Sequence, residues 1–143
     1  MYKYRAIVDR VVDGDTIDVD IDLGFDVWLK KQRIRLRGVD APESRTRDLE
    51  EKKFGMLAKM YVMEHCPSGS EIILQTYLDD RGKFGRILGE IFLPNHDTSL
   101  NELMIVDKIA VHYFGQSKKE IEENHLANRQ YLIESGTFDI NSY

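Results

Sequence analysis

The chain has one cysteine, Cys66, and three prolines among its 143 residues. A lone thiol excludes a disulfide framework and any zinc site built from several thiolates. Cys66 falls in Met-Glu-His-Cys-Pro at the end of a predicted helix, and no motif sets a His and an acid beside it. It therefore reads as a partly buried thiol and not as a nucleophile. No apolar run approaches the ~20 residues that span a bilayer, so no membrane association is expected. The opening Met-Tyr-Lys-Tyr-Arg-Ala-Ile-Val lacks the apolar core and small-residue cleavage site of a signal peptide. The expected location is the cytoplasm, or outside the cell if a leader has been trimmed. Net positive charge is also missing: the formal charge is −5. That disfavours a non-specific nucleic-acid packaging protein, which displaces counterions with overall positive charge, but not an enzyme that must release a polyanion. With 42% hydrophobic and 31% charged residues, residues 1–143 are expected to form one globular domain acting as a monomer.

The charge that is present is unevenly spread. Residues 1–27 carry three basic and seven acidic side chains, and residues 28–53 carry nine basic and five acidic. An acidic cluster next to a basic patch suits a site that holds a cation and an anionic substrate, and equally a pair of strands with complementary faces. Residues 4–12 end in apolar pairs, Asp13-Gly14-Asp15 is a turn signal, and Ile17, Val19, Ile21 and Leu23 then alternate with aspartates. Gly24 opens a loose connection, and residues 32–37 alternate again, giving a three-stranded meander. Between residues 48 and 65 the period changes: Phe54, Leu57, Ala58, Tyr61 and Val62 form a helical stripe. Ile72 to Thr76 and Ile87 to Leu93 read as a hairpin about Asp80-Arg81-Gly82-Lys83. Residues 99–108 and 117–134 read as helices, the second opened by a capping box of Ser117 and Glu120. The order predicts an α+β domain whose small sheet is closed or nearly so, the layout of a five-stranded OB-fold barrel with a helix between strands three and four.

Three short stretches carry polar groups suited to chemistry. Asp13-Gly14-Asp15-Thr16 projects a carboxylate from a tight turn, a natural ligand for a hard cation that prefers oxygen, and also a common hairpin sequence. After Arg35, the run Gly38-Val39-Asp40-Ala41-Pro42-Glu43 displays two acids from a corner stiffened by Pro42. Lys83-Phe84-Gly85-Arg86 supplies a second guanidinium, whose planar fork matches phosphate oxygens.

Taken together and in this order, Asp-Gly-Asp-Thr, an Arg-bearing strand into Val-Asp-x-Pro-Glu, and Lys-aromatic-Gly-Arg resemble the staphylococcal nuclease (thermonuclease)-like domain family, from about Tyr4 to the helix around Leu126. The resemblance implies a five-stranded OB-fold barrel with three helices and Ca²⁺-dependent hydrolysis of phosphodiester bonds in DNA and RNA. It implies Asp15 and Asp40 as carboxylate ligands, with the Ala41 carbonyl completing the protein's share. Glu43 would orient or deprotonate the attacking water, and Arg35 and Arg86 would grip the scissile phosphate. Lys83, Phe84 and Tyr113 would contact substrate; where the family prototype carries Tyr, this chain has Phe84, and where it carries Thr, Ala41. The alternative is a catalytically silent OB-fold module that binds nucleic acid or protein. A silent member would be expected to lose the paired acids, Glu43 or the two arginines first, and all five are present.

Other features are set aside. Asp18, Asp20 and Asp22 mimic the start of a calcium-binding EF-hand but lack its Gly and closing Glu, and read as the wet face of a strand paired with Arg33 and Arg37. His65, His96, His112 and His125 take no metal-ligand spacing and read as ordinary surface or helix positions. Trp28 reads as core or barrel rim. Arg45 and Arg47, after Glu43, read either as contacts to a polynucleotide backbone or as solvated loop charges. The helix from His125 to Ile133 and the tail after Gly136 read as packing.

Overall fold

In the computed structural model, which describes residues 2–77 and 86–138 (Arg86 by its backbone alone), the alternating first third forms three antiparallel strands. These are β1 (Lys3–Asp13), β2 (Thr16–Asp22) and β3 (Trp28–Leu36). Period two sends Ile17, Val19 and Ile21 inward, each at most 3% exposed. A short strand β4 (Val39–Asp40) follows, then helix α1 (Leu49–His65), strand β5 (Glu71–Tyr77) and strand β6 (Arg86–Phe92). Helix α2 (Leu100–Val106), strand β7 (Val111–His112) and helix α3 (Lys118–Glu134) complete the described chain.

The strands close into a barrel in the order β1-β2-β3-β6-β5. All its pairings are antiparallel except β3 with β6, which run parallel from Arg33↔Arg86 to Leu36↔Gly89. This is the five-stranded α+β barrel with three helices expected from the pattern. Its interior is filled by Ala6, Val8, Ile17, Val19, Ile34, Leu36, Ile72, Leu74 and Ile91, all essentially without solvent contact. Each such aliphatic side chain contributes on the order of 1.5–3 kcal/mol by leaving water. The α1 stripe packs Ala58 and Val62 into the same core, and Phe54 joins Leu132 and Phe138 in a smaller one. Tail packing by Phe138, 4.5 Å from Phe54 between ring centroids, is as expected.

Each helix begins on a side-chain cap. Asp48 accepts from the amides of Glu50 and Glu51, Ser99 from that of Glu102, and Ser117 from that of Glu120. Cys66 closes α1, fully buried; burial pushes its thiol up to about 12, so it is inert at neutral pH.

Two expectations are corrected. The connection after Gly24 is a tight turn, closed by hydrogen bonds between Leu23 and Val27 and between Val27 and Gly24, with Phe25 and Asp26 at φ of 55° and 60°. Strand β3 therefore starts at Trp28, which stands at the barrel rim. Asp18 is not on a wet face. An irregularity in each neighbouring register, at Val8/Arg10 and Val19/Ile21, accompanies an Asp18 only 7% exposed. It pairs with Arg33 as expected and with Arg10, whereas Arg37 stacks on Tyr77 instead.

Candidate active site

The site lies where the β1–β2 turn, the end of β3 and the corner after β4 meet. Asp13 and Thr16 close a two-residue turn, which seats Gly14 against Ala58 of α1 and against Ala41. A Cβ on Gly14 would fall 2.7 Å from the Ala58 Cβ and 2.9 Å from that of Ala41, so only glycine allows this approach. The turn thus carries Asp15 onto the corner. Its Oδ2 accepts a 3.0 Å hydrogen bond from the Ala41 N–H, and its Oδ1 accepts from the Thr16 hydroxyl.

Arg35 joins the pieces. On β3 it stands opposite Thr16, and its Nη1 donates to the carbonyls of Leu36 and Val39. So anchored, the guanidinium lies 3.5 Å from Asp15 Oδ2 and 3.5 Å from Asp40 Oδ1. One cation therefore spans both acids. Pro42 and Ser44 are buried while Glu43 stands exposed between them, and α1 fixes its backbone. A Cβ on Gly55 would collide with the Glu43 carbonyl.

Behind the corner, Asn101 of α2 is a polar staple with almost no solvent contact. Its Oδ1 accepts from the Ile91 N–H, and its Nδ2 donates to the carbonyls of Arg37 and Gly89. It ties helix to barrel where β3 turns toward Asp40. Pairing of β4 with β7, Val39↔His112 and Asp40↔Val111, adds a second brace.

These residues surround an open cleft of about 330 Å³ lined by Val12, Asp13, Asp15, Thr16, Arg33, Arg35, Asp40, Glu43 and Arg45. Four acids line this cleft against three arginines, and two of the acids, Asp15 and Glu43, have raised carboxyls. Burial pushes the Asp15 carboxyl above its ordinary range; Arg35 and the hydrogen bonds from Ala41 and Thr16 oppose the rise, and Asp40 adds to it. Partial desolvation raises Glu43 as well, reinforced by Asp13, Asp15, Glu51 and Asp40. Among the described residues no group of three or more His, Cys, Asp or Glu side chains could enclose a metal ion by itself. What the cleft offers a cation is the carboxylates of Asp15 and Asp40, an all-oxygen set. That set fits a hard divalent ion completed by water and substrate oxygens.

Of the residues singled out by sequence, Asp15, Arg35, Asp40, Ala41 and Glu43 come together here. Arg45 lines the same cleft and Arg47 does not. Tyr113 is half-buried just past β7, its N–H on the Gly38 carbonyl at 2.8 Å, and is not among the residues lining the cleft. Arg86 opens β6 opposite Arg33; its side chain, like Lys83 and Phe84, lies outside the described residues.

His125 corrects the sequence reading. It is buried, not an ordinary helix position, and its Nε2 lies 2.8 Å from Asp40 Oδ2. No local signal marks it, since the two residues are 85 positions apart. Asn101 was likewise passed over; a polar residue beside Leu100 and Met104, on the buried side of the helix, was the available hint.

The staphylococcal nuclease homologue family matches residues 33–132. The chain is 34% identical over 117 residues to a probable staphylococcal-like nuclease, CAN1, of Oryza sativa subsp. japonica, covering 82% of this chain and 32% of that protein. It is 33% identical over 87 residues to the thermonuclease of Staphylococcus intermedius, covering 61% and 48%. To the endonuclease YhcR of Bacillus subtilis it is 30% identical over 117 residues, covering 78% and 9%. The chain thus spans from about a tenth to about half the length of these relatives. With the family matched over most of its length, and with the barrel built as described, the chain belongs to the staphylococcal nuclease homologue family.

Proposed function

We propose that this chain is a Ca²⁺-dependent nuclease that hydrolyses phosphodiester bonds of DNA and RNA by in-line attack of water. One observation carries the reading: a single anchored Arg35 lies 3.5 Å from both Asp15 and Asp40, in a cleft that Glu43 also lines. Names of relatives, a thermonuclease and an endonuclease among them, support the same class.

Asp15, Asp40 and the Ala41 carbonyl would hold the cation. Bound there, Ca²⁺ would supply Lewis-acid stabilisation of charge on the phosphoryl oxygens. The chain's own residues do the rest. Glu43 takes or orients the proton of the attacking water as its oxygen bonds to phosphorus, and its raised carboxyl is a better base than an ordinary glutamate. Arg35 and Arg86 donate to the non-bridging oxygens, whose charge grows as the ester P–O bond breaks. The anchoring of Arg35 by the Leu36 and Val39 carbonyls means that little reorganisation is needed during reaction. With the net charge at −5, binding rests on a local basic patch and should weaken steeply with salt.

The test is cleavage of single-stranded DNA, double-stranded DNA and RNA with Ca²⁺ and then with excess EGTA. Loss of all three substrates in calcium alone is expected. Salt-sensitive binding without cleavage would replace this reading with a silent OB-fold binding module, and indifference to both calcium and nucleic acid would replace it with a protein-interaction domain.

A further inference from the structure

Helix α3 buries an unusual face. The residues it turns inward include His125, Asn128, Arg129 and Leu132, at i, i+3, i+4 and i+7, where an apolar stripe is the ordinary solution. Two of the polar ones reach the strip that carries Asp40. Asn128 Nδ2 donates to the Ala110 carbonyl just before β7, and His125 Nε2 donates to Asp40 Oδ2. At 2.8 Å, with the imidazole 11% and the carboxylate 30% exposed, this is a short hydrogen bond to a carboxylate, shielded from water on the histidine side.

The two oxygens of Asp40 are thereby given different duties. Oδ2 is held by His125 from the helix side, while Oδ1 lies 3.5 Å from Arg35 Nη2 on the cleft side. A carboxylate on a surface corner would otherwise rotate about its Cβ–Cγ bond and present either oxygen. Outer partners of this kind typically set the orientation of a ligating carboxylate and its affinity for a metal.

We propose that His125 is a positioning residue for the cation site: it locks the Asp40 carboxylate so that Oδ1 faces the cleft, and it makes the C-terminal helix part of the site. The inference rests on Asp40 being a cation ligand, as in the function proposed above. His125 acts through Asp40 and is assigned no contact with substrate.

The experiment is calorimetric titration of the full chain with CaCl₂ in the absence of nucleic acid, with thermal unfolding in EGTA as the check on folding. His125→Ala and His125→Phe, the latter keeping a ring but no donor, are expected to weaken Ca²⁺ binding about 10- to 100-fold. His125→Gln, which keeps an N–H donor, is expected to recover most of that loss. Asn128→Ala removes the other tie of α3 to this strip without touching Asp40, and is expected to bind Ca²⁺ like the wild type. Should His125→Ala fail to fold, His125→Phe decides. Wild-type affinity in the folded His125 variants overturns the proposal and leaves the nuclease reading standing. Equal weakening in Asn128→Ala overturns it in favour of simple helix docking. Absence of Ca²⁺ binding by the wild type overturns the metal reading itself, and this inference with it.

Discussion

Asp15, in the turn just before β2, and Asp18, within β2, lie three residues apart, each largely buried and each facing an arginine of β3. Thr16, next to Asp15, is opposite Arg35, and Asp18 is opposite Arg33. They behave in opposite ways. Arg33 holds Asp18 by two hydrogen bonds, at 2.9 and 3.2 Å, and Arg10 adds a third at 3.1 Å. Those bonds outweigh burial and hold the carboxyl below its ordinary range. Asp15 has its arginine at 3.5 Å, shared with Asp40, and burial wins. The first carboxylate is satisfied and structural. The second is short of positive charge, which leaves it able to take up a cation.

Several substitutions break or sharpen this contrast. Glu43→Gln should cut kcat about 10²- to 10⁴-fold, the usual worth of a general base, with the thermal midpoint not lowered, since the charge removed is repelled by neighbouring acids. Asp18→Asn should leave kcat near wild type in the same cleavage assay, and equal losses in both would erase the distinction. Gly55→Ala should come next, lowering kcat by about 10²-fold, because the added Cβ displaces the backbone that carries Glu43. A wild-type rate in a folded Gly55→Ala protein would show that the placement of Glu43 tolerates such a shift.

Stability should then cross over. Measured by urea unfolding in EGTA, Asp18→Asn should cost about 1 kcal/mol; that is modest, because Arg33 and Arg10 are exposed enough for water to screen them. Asp15→Asn should cost little or add stability, since the burial penalty on its charge outweighs the shared Arg35 and the hydrogen bonds from Ala41 and Thr16, while abolishing Ca²⁺ binding. A loss larger in Asp15→Asn than in Asp18→Asn would reverse the assignment.

The smallest effect is on pH dependence without metal. Asp15 and Glu43 have raised folded values, so their contribution to stability is present at low pH and is lost as pH rises through those values. Asp18 runs the other way: its contribution is present above the ordinary carboxylate range and is lost as pH falls through its depressed value. Without metal, stability should therefore rise as pH falls through the raised values of Asp15 and Glu43 toward the ordinary carboxylate range, and fall again below that range as Asp18 is protonated. Thermal melts should show Asp15→Asn flattening the first limb and Asp18→Asn the second.

Asp18 also marks a limit of pattern reading. Period two places it with Asp20 and Asp22 on the solvent face, yet a shift in register and two arginines from flanking strands bury it. Asp20 and Asp22, half-buried, do behave as turn and rim acids, on Lys30 with the Lys31 amide, and on the Gly24 amide. The acids at the turn and the corner were each weak signals alone, marked only by Gly14, Pro42 and Arg35 beside them, and became legible as a group through the ordered motifs that resemble the staphylococcal nuclease family. Asn101 and His125 have no such neighbours in the chain, and each acts across a packing interface.

The short strands β4 and β7 and the early start of β3 were not legible, but much of the rest was determined by the sequence alone: the alternation of β2 and of the end of β3, the stripe of α1, the serine cap of α3, and the Asp-Gly turn. These depend on residues within a few positions of one another, where sterics and local hydrogen bonds decide. Which arginine meets which acid, how closely Gly55 lets Glu43 lie against α1, and that His125 reaches Asp40 were decided only by tertiary structure. Those contacts depend on how barrel, corner and helices pack, and a shift of about one ångström separates a hydrogen-bonded carboxylate from a free one.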